Sequence, residues 1–172
     1  MKKIHFILFL PLLLLFSSFY KQDTGIALGN TAPEIALHDP TGKVLKLSSL
    51  RGKYVILDFW ASWCPPCRRA NPGLVRIYKE FNTMDFENGK GMAVFSVSLD
   101  KEKDQWVGAI SADKLEWQHH VSDLMGWNSS VVYMYHVESI PSNFVLDGDG
   151  KIIAKNLEES ALRAFLTSKE KK

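Results

Sequence analysis

The chain has only two cysteines among its 172 residues, Cys64 and Cys67. A structural zinc site needs about four ligands, so a cysteine-rich zinc module is excluded by the lack of a second pair. The formal net charge of +2 is too small to indicate nucleic acid or another polyanion as a partner. Internal repeats and low-complexity blocks are also lacking. The composition, 46% hydrophobic and 23% charged, is that of one globular domain.

The N-terminus has the sequence pattern of a secretory signal, in which two lysines are followed by an almost unbroken apolar run over 4–16 and then by two serines. We therefore expect the protein to work outside the cytoplasm, in a bacterial periplasm or cell envelope. The run extended to Tyr20 is at the short end of what spans a bilayer, so an uncleaved membrane anchor is the alternative. This segment contains no cysteine, which excludes its acylation as a lipoprotein.

Composition divides the chain into three parts. Residues 1–20 are expected to be the signal peptide or anchor, and residues 21–30, which are polar and contain glycine, a linker. The folded domain is expected over 31–172. A turn at 39–42, with proline second and glycine fourth, predicts a short hairpin at its start.

Strand and helix patterns alternate along the rest of the chain. Residues 54–61 form a continuous apolar run interrupted only by Asp58, as expected of a central strand buried on both faces. The other expected strands are 92–99, 117–121, 142–146 and 151–155, and the expected helices are 64–81, 101–113, 129–136 and 157–168. This order predicts an α/β sandwich.

The two cysteines are separated by two prolines, in the segment Trp63-Cys64-Pro65-Pro66-Cys67. A disulfide closing so short a loop removes little entropy from the unfolded chain, so the pair would contribute little as a structural crosslink. Cys64 is expected at the start of a helix, where free N–H groups and the helix dipole favour a thiolate. The prolines suit the first helical turn.

This arrangement predicts disulfide exchange. Trp63 and Pro65 flank Cys64, so we expect Cys64 at an exposed rim and Cys67 facing inward. The outer sulfur would attack a substrate disulfide, and the inner sulfur would resolve the mixed disulfide that forms.

Asp58 is the expected base for that second step. Burial within a central strand raises the pKa of a carboxyl group, which makes it a usable base near neutral pH. The alternative is a carboxylate satisfied by backbone N–H groups.

These residues resemble thioredoxin, and more closely the extracytoplasmic thioredoxin-like thiol:disulfide oxidoreductases of the redoxin group (TlpA/ResA-like, AhpC/TSA-related). The resemblance covers about residues 29–168. It rests on "VILDFWASWCPPC", on Pro72 in the helix and on "IPSNFVLDGDGKI". It implies a thioredoxin fold: a central mixed β-sheet flanked by helices, with an N-terminal β-hairpin and a helix and strand inserted at about 101–122.

The resemblance also implies a substrate-side loop beside the cysteines, with a cis peptide bond between Ile140 and Pro141. The residues expected to contact substrate are Trp63, Pro65, Pro66, Ile140 and Pro141. The chain departs from the family in two places. No lysine lies within 92–99 to accompany Asp58, and Ala70 stands where members serving cytochrome c maturation often carry glutamate.

The function that this resemblance implies is reduction, rather than oxidation or isomerisation, of disulfides in extracytoplasmic proteins. The expected substrates are disulfide-containing or dithiol proteins, and a membrane partner is expected to supply electrons. No cofactor is expected beyond the redox-active Cys64–Cys67 disulfide.

Two other activities fit the residues less well. A peroxiredoxin carries Thr or Ser three residues before its reactive cysteine and a proline further upstream, whereas this chain has Ala61 and Leu57 there. A copper-delivery protein of the same fold would use two cysteines and a histidine, for which His136 is the candidate, but such proteins space their cysteines by three residues. The thiol pair argues against a non-catalytic interaction domain.

Overall fold

A computed structural model describes residues 23–171. The strands are β1 (Ala36–His38), β2 (Val44–Lys46), β3 (Tyr54–Trp60), β4 (Asp85–Phe86), β5 (Gly89–Lys90), β6 (Met92–Ser98), β7 (His119–Val121), β8 (Ser142–Leu146) and β9 (Ile152–Lys155). The α-helices are α1 (Pro65–Phe81), α2 (Lys103–Ala112), α3 (Ser130–Met134) and α4 (Glu159–Thr167).

Five strands form one mixed sheet in the order β7-β6-β3-β8-β9. The central strand β3 runs parallel to β6 and antiparallel to β8. Every residue of β3 and β6 is buried, as their continuous apolar runs predict. The predicted α/β class and thioredoxin fold, with the hairpin β1–β2 and the inserted α2 and β7, are confirmed.

The sheet separates two layers of helices. Helices α1 and α4 lie together on one face, where Arg76 and Glu159 pair. On the other face the ring of Phe59 packs against Tyr135, just after α3, with ring centroids 5.5 Å apart. Asp58 therefore points toward α1, because successive side chains of a strand alternate between faces.

Most predicted elements are confirmed to within a few residues at each end. The turn at 39–42 is held by the Asp39 carboxylate, which accepts hydrogen bonds from the backbone N–H groups of Thr41 and Lys43 at 2.8 and 2.9 Å. Strands β4 and β5 were not predicted, since two-residue strands carry no periodicity.

The first residues of the described part form backbone hydrogen bonds with the edge of the main sheet. The N–H of Gly29 donates to the carbonyl of Ile152 at 2.8 Å, and the N–H of Ile152 donates to the carbonyl of Asn30 at 2.9 Å. Gly29 and Asn30, at the end of the expected polar linker 21–30, therefore lie along the edge strand β9. A sequence alone does not reveal these backbone hydrogen bonds, because any polar segment can form them.

The expected signal peptide or anchor at 1–20 lies outside the described residues. Within 23–171 no helix has the length and apolar character needed to cross a membrane.

Candidate active site

Cys64 and Cys67 form a disulfide at the start of α1, with sulfurs 2.08 Å apart. Cys64 is the N-cap residue, and its sulfur accepts a hydrogen bond from the backbone N–H of Cys67 at 3.2 Å. Pro65 and Pro66 occupy the first helical turn, as predicted. The same N–H would stabilise a Cys64 thiolate after reduction.

The exposure of Cys64 differs from the expectation. Both cysteines are buried in the disulfide form, with 3% of Cys64 and 1% of Cys67 exposed. The carbonyl oxygen of Ile140 lies 3.8 Å from the Cys64 sulfur and covers it from a loop distant in sequence. The expected exposed rim is instead formed by neighbouring residues, among them Trp63, which is 48% exposed.

The remaining residues expected to contact substrate surround the same sulfur. The Ile140–Pro141 peptide bond is cis, as the resemblance implies. Pro65, Pro66 and Pro141 are exposed, and Ile140 is half-buried. The indole N–H of Trp63 donates to the carbonyl of Leu99 at 3.3 Å, which fixes the ring beside the end of β6. The predicted set is therefore brought together in space.

Asp58 lies in the middle of β3 and is only 7% exposed. Burial raises its pKa to about 7, and a hydrogen bond from the Ser96 hydroxyl opposes this shift. Among residues 23–171, Ser96 is the only donor within hydrogen-bond distance of the carboxylate, at 3.5 Å. A carboxylate satisfied by backbone N–H groups, the alternative prediction, is therefore wrong.

A cavity of about 970 Å³ joins Asp58 to Cys67. Asp58 and Cys67 both line it, together with the Ile140–Pro141 loop and the start of α4. Water in this cavity would provide a path for a proton between the Cys67 sulfur and the carboxylate. His136 also lines the cavity, but no group of three metal-binding side chains occurs within the described range.

Sequence reasoning missed a network that supports the first turns of α1. Two nitrogens of the Arg68 guanidinium donate to the carboxylate of Asp113, at 2.5 and 2.7 Å, and a third donates to the carbonyl of Ser62 at 3.1 Å. The Asn71 amide donates to the same carboxylate at 2.6 Å. Asp113 follows α2, so the inserted helix is bonded directly to the active-site helix.

The turn before Trp63 is held by a second carboxylate. Asp100 is fully buried and accepts hydrogen bonds from the N–H of Ser62 at 2.9 Å and from its hydroxyl at 2.5 Å. The hydroxyl of Ser98 donates to it as well, at 2.7 Å. An aspartate directly after an apolar run is the only sequence signal that could have indicated this role.

We expect Asp113→Asn to lower the free energy of unfolding at pH 7 by about 1 to 3 kcal/mol, because Arg68 and Asn71 lose a charged acceptor. Burial alone would raise the pKa of Asp113, but the hydrogen bonds from Arg68 and Asn71 hold it below its ordinary value. The carboxylate therefore stabilises the fold above about pH 4, and this contribution is lost as the pH falls through the lowered pKa.

Urea unfolding at pH 7 and pH 3 measures the effect. The matched control is Glu159→Gln, which removes one carboxylate charge from the exposed pair with Arg76, a type of pair that contributes little. Equal losses in the two variants, or a loss for Asp113→Asn that is as large at pH 3 as at pH 7, would contradict this prediction.

Comparison with known proteins agrees with this site. The family model described as the AhpC/TSA family matches residues 28–155. The thioredoxin-like protein YneN of Bacillus subtilis is 31% identical over 140 residues, which cover 80% of this chain and 76% of that protein. The thiol-disulfide oxidoreductase ResA of Geobacillus kaustophilus is 27% identical over 140 residues, 80% of this chain and 74% of that protein.

Solved structures agree as well. A thiol-disulfide oxidoreductase from Bacteroides fragilis has a TM-score of 0.72 and 34% identity, covering 81% of this chain and 98% of that one. A thiol:disulfide interchange protein from Bacteroides sp. has a TM-score of 0.71 and 32% identity, covering 83% and 90%. We conclude from the family match, the shared fold and the Cys64–Cys67 pair that the chain belongs to the AhpC/TSA family and is a ResA-like thiol-disulfide oxidoreductase.

Proposed function

We propose that this enzyme reduces disulfides in proteins outside the cytoplasm, through a mixed disulfide on Cys64. The observation that carries the proposal is the shared cavity, which Asp58 lines together with the redox-active cysteine Cys67. A base in that position serves the resolving step rather than the first attack. The secretory character of residues 1–20 supports the location.

In the reaction, the Cys64 thiolate attacks one sulfur of a substrate disulfide, and the other substrate sulfur leaves and takes up a proton. Asp58 then accepts the proton of Cys67, directly or through water. The Cys67 thiolate attacks the Cys64 sulfur, which forms the enzyme disulfide and releases the second substrate sulfur as a thiolate that takes up a proton. The substrate has gained two electrons, and the enzyme has lost two.

The surface around Cys64 suits an unfolded or extended protein segment. Trp63, Pro65, Pro66 and Pro141 present exposed apolar groups around the sulfur. Ile140 offers a backbone carbonyl 3.8 Å from it, which a substrate N–H can approach from the same side. Apolar contact and backbone pairing both favour protein substrates over small disulfides.

Continued turnover needs a source of two electrons per cycle, because each cycle ends with the Cys64–Cys67 disulfide. Outside the cytoplasm a soluble thiol pool does not supply them. A membrane protein that passes electrons across the bilayer, by exchange with the same disulfide, fits this requirement. The apolar rim around Cys64 would then receive the substrate and the electron donor in turn.

The reduction potential of the Cys64–Cys67 couple tests this proposal. We expect a value near that of thioredoxin, about −270 mV, when the folded domain is equilibrated with dithiothreitol and with glutathione buffers. Cys64→Ser, which cannot form the disulfide, is the control for reagent-dependent signals. A value above about −200 mV would make the enzyme an oxidant or an isomerase and would overturn the proposed direction.

A further inference from the structure

A row of polar side chains crosses the sheet beneath α1. In the strand register Asp58 lies opposite Ser96 on one side and Asn143 on the other, and Ser96 lies opposite His120. Paired residues of neighbouring strands project from the same face, so the four side chains share one face of the sheet. Each lies in or beside a buried apolar run, where unpaired polar groups are costly.

The two outer residues of this row, His120 and Asn143, make their hydrogen bonds to groups other than Asp58. The Asn143 amide donates to the carbonyl of Leu157 at 2.9 Å and accepts the N–H of Leu157 at 3.1 Å. A ring nitrogen of His120 lies 3.2 Å from the carbonyl of Leu115. Burial lowers the pKa of His120 to about 4, so its ring is neutral near pH 7. Ser96 is therefore the residue of this row that donates a hydrogen bond to Asp58.

The Ser96 hydroxyl has a fixed direction. Its oxygen accepts a hydrogen bond from the indole N–H of Trp117 at 3.0 Å, and an indole nitrogen can only donate. The hydroxyl hydrogen must then point elsewhere. Among the residues that the structure describes, its acceptor is Oδ2 of Asp58, at 3.5 Å. Ser96 is fully buried, so water does not compete.

Trp117 is itself held on two sides. Its ring stacks on His120, with centroids 5.4 Å apart, and meets the ring of Tyr78 edge-on at 5.7 Å. Only 3% of Trp117 is exposed. Tyr78 belongs to α1 and Trp117 to the inserted segment, so the insertion reaches beneath the active-site helix and touches the partner of Asp58.

The charged side chains near Asp58 line the cavity and do not belong to the neighbouring strands. Neither β6 nor β8 presents a titratable side chain to it. The titratable residues that line the cavity with Asp58 and Cys67 are Arg69 of α1, His136, Glu138, Glu158 and Glu159. None of them shifts the pKa of Asp58, for which burial is the largest cause and the Ser96 hydroxyl the second.

We propose that Ser96 and Trp117 are positioning residues for the exchange reaction. The Trp117 indole holds the Ser96 oxygen, the Ser96 hydroxyl donates to Asp58, and the carboxylate that accepts the Cys67 proton is stabilised within an apolar sheet. This inference rests on the role of Asp58 in the proposed function. It assigns the inserted segment a part in proton transfer.

The test follows the Asp58 carboxyl carbon by NMR titration of the oxidised protein, in which neither cysteine titrates. Asp58→Asn assigns the signal. We expect Ser96→Ala to raise the pKa of Asp58 by about half a unit to one unit, since one hydrogen bond to the charged form is lost. Trp117→Phe should raise it less, and should add nothing in a Ser96→Ala background.

Matched controls separate this effect from general repacking. Ser122→Ala removes another buried hydroxyl, and Trp106→Phe removes the N–H of a buried indole that has no hydrogen-bond partner in the described structure. Both should leave the pKa of Asp58 unchanged. An unchanged or lowered pKa in Ser96→Ala overturns the inference, as does an additive effect of Trp117→Phe.

The rate of mixed-disulfide resolution is measured in parallel. If Asp58 is the base, Ser96→Ala should slow resolution about two- to fivefold at pH 7 and recover near pH 9, because only the ionised fraction changes. A shifted titration with an unshifted rate profile would uphold the hydrogen bond from Ser96 to Asp58 but would overturn the part of Ser96 in the exchange reaction. The same result would overturn the role of Asp58 in the proposed function, so the two failures are distinguishable.

Discussion

Replacing Cys67 by serine should convert the enzyme into a stoichiometric trap for its substrates. Cys64 keeps its place at the start of α1, and it keeps the N–H of residue 67 as a hydrogen-bond donor to its sulfur. The first attack therefore proceeds, but no second thiol is present to release the substrate. Turnover should fall about a thousandfold or more, and a covalent adduct should accumulate.

Mass spectrometry of non-reduced samples measures this adduct, and dithiothreitol should release it. Cys64→Ser is the control, because it removes the attacking sulfur and should yield neither turnover nor adduct. The opposite pattern, with adducts formed through Cys67 in the Cys64→Ser variant, would show that the order of attack is wrong. Adducts recovered from Cys67→Ser also identify the physiological substrates.

Asp58→Asn should slow the resolving step about a hundredfold at pH 7, a typical effect of losing a general base. The first attack on a substrate disulfide should change much less, because the Cys64 thiolate is stabilised by the helix start rather than by Asp58. Stopped-flow measurement of mixed-disulfide formation and decay separates the two steps. Equal slowing of both steps would argue that Asp58 acts on Cys64 instead.

The same substitution should remove a loss of stability that the parent protein undergoes as the pH rises from 4 to 8. The pKa of Asp58 is about 7 in the folded protein and about 3.9 in an unfolded chain, so the folded state binds the proton more tightly. Its contribution to stability is complete below about pH 4 and is lost as the pH rises through 7. Relative to the parent, Asp58→Asn should therefore gain about 4 kcal/mol between pH 4 and pH 8.

Urea unfolding of the oxidised proteins across this range measures the gain. Because the comparison is between two pH values, any constant cost of the buried amide cancels. A difference between the variant and the parent that does not change with pH would mean that Asp58 ionises normally in the folded protein. The proposed base, Asp58, is thus expected to lower the stability of the sheet that holds it as the pH rises.

Sequence patterns predicted much of this molecule because its central strands are buried on both faces. Continuous apolar runs such as those of β3 and β6 are typical of strands covered by helices on either side, and an aspartate inside such a run is a functional candidate because its burial is costly. The two cysteines and the prolines between them likewise predict that Cys64 lies at the start of a helix and that the prolines lie in its first turn. The cis bond before Pro141 could be expected only from the family resemblance.

Other features depend on residues far apart in the chain. Cys64 is buried because the Ile140 loop covers it, and Asp113 bonds to Arg68 across a long sequence separation. Neither contact leaves a periodic signal. Ser96 was detectable in principle, as a polar residue within an apolar run, but only the strand register shows that it faces Asp58.

The outer strands of the main sheet carry a further consequence. Residues 29–31 bond along β9, and at the other side the N–H of Ser122, just after β7, donates to the carbonyl of His38 at 3.0 Å. Exposed strand edges are templates on which a second chain can add itself and begin aggregation. Segments from before the first central strand occupy part of both margins, so less of the main sheet's edge is open to pairing with a strand of another chain.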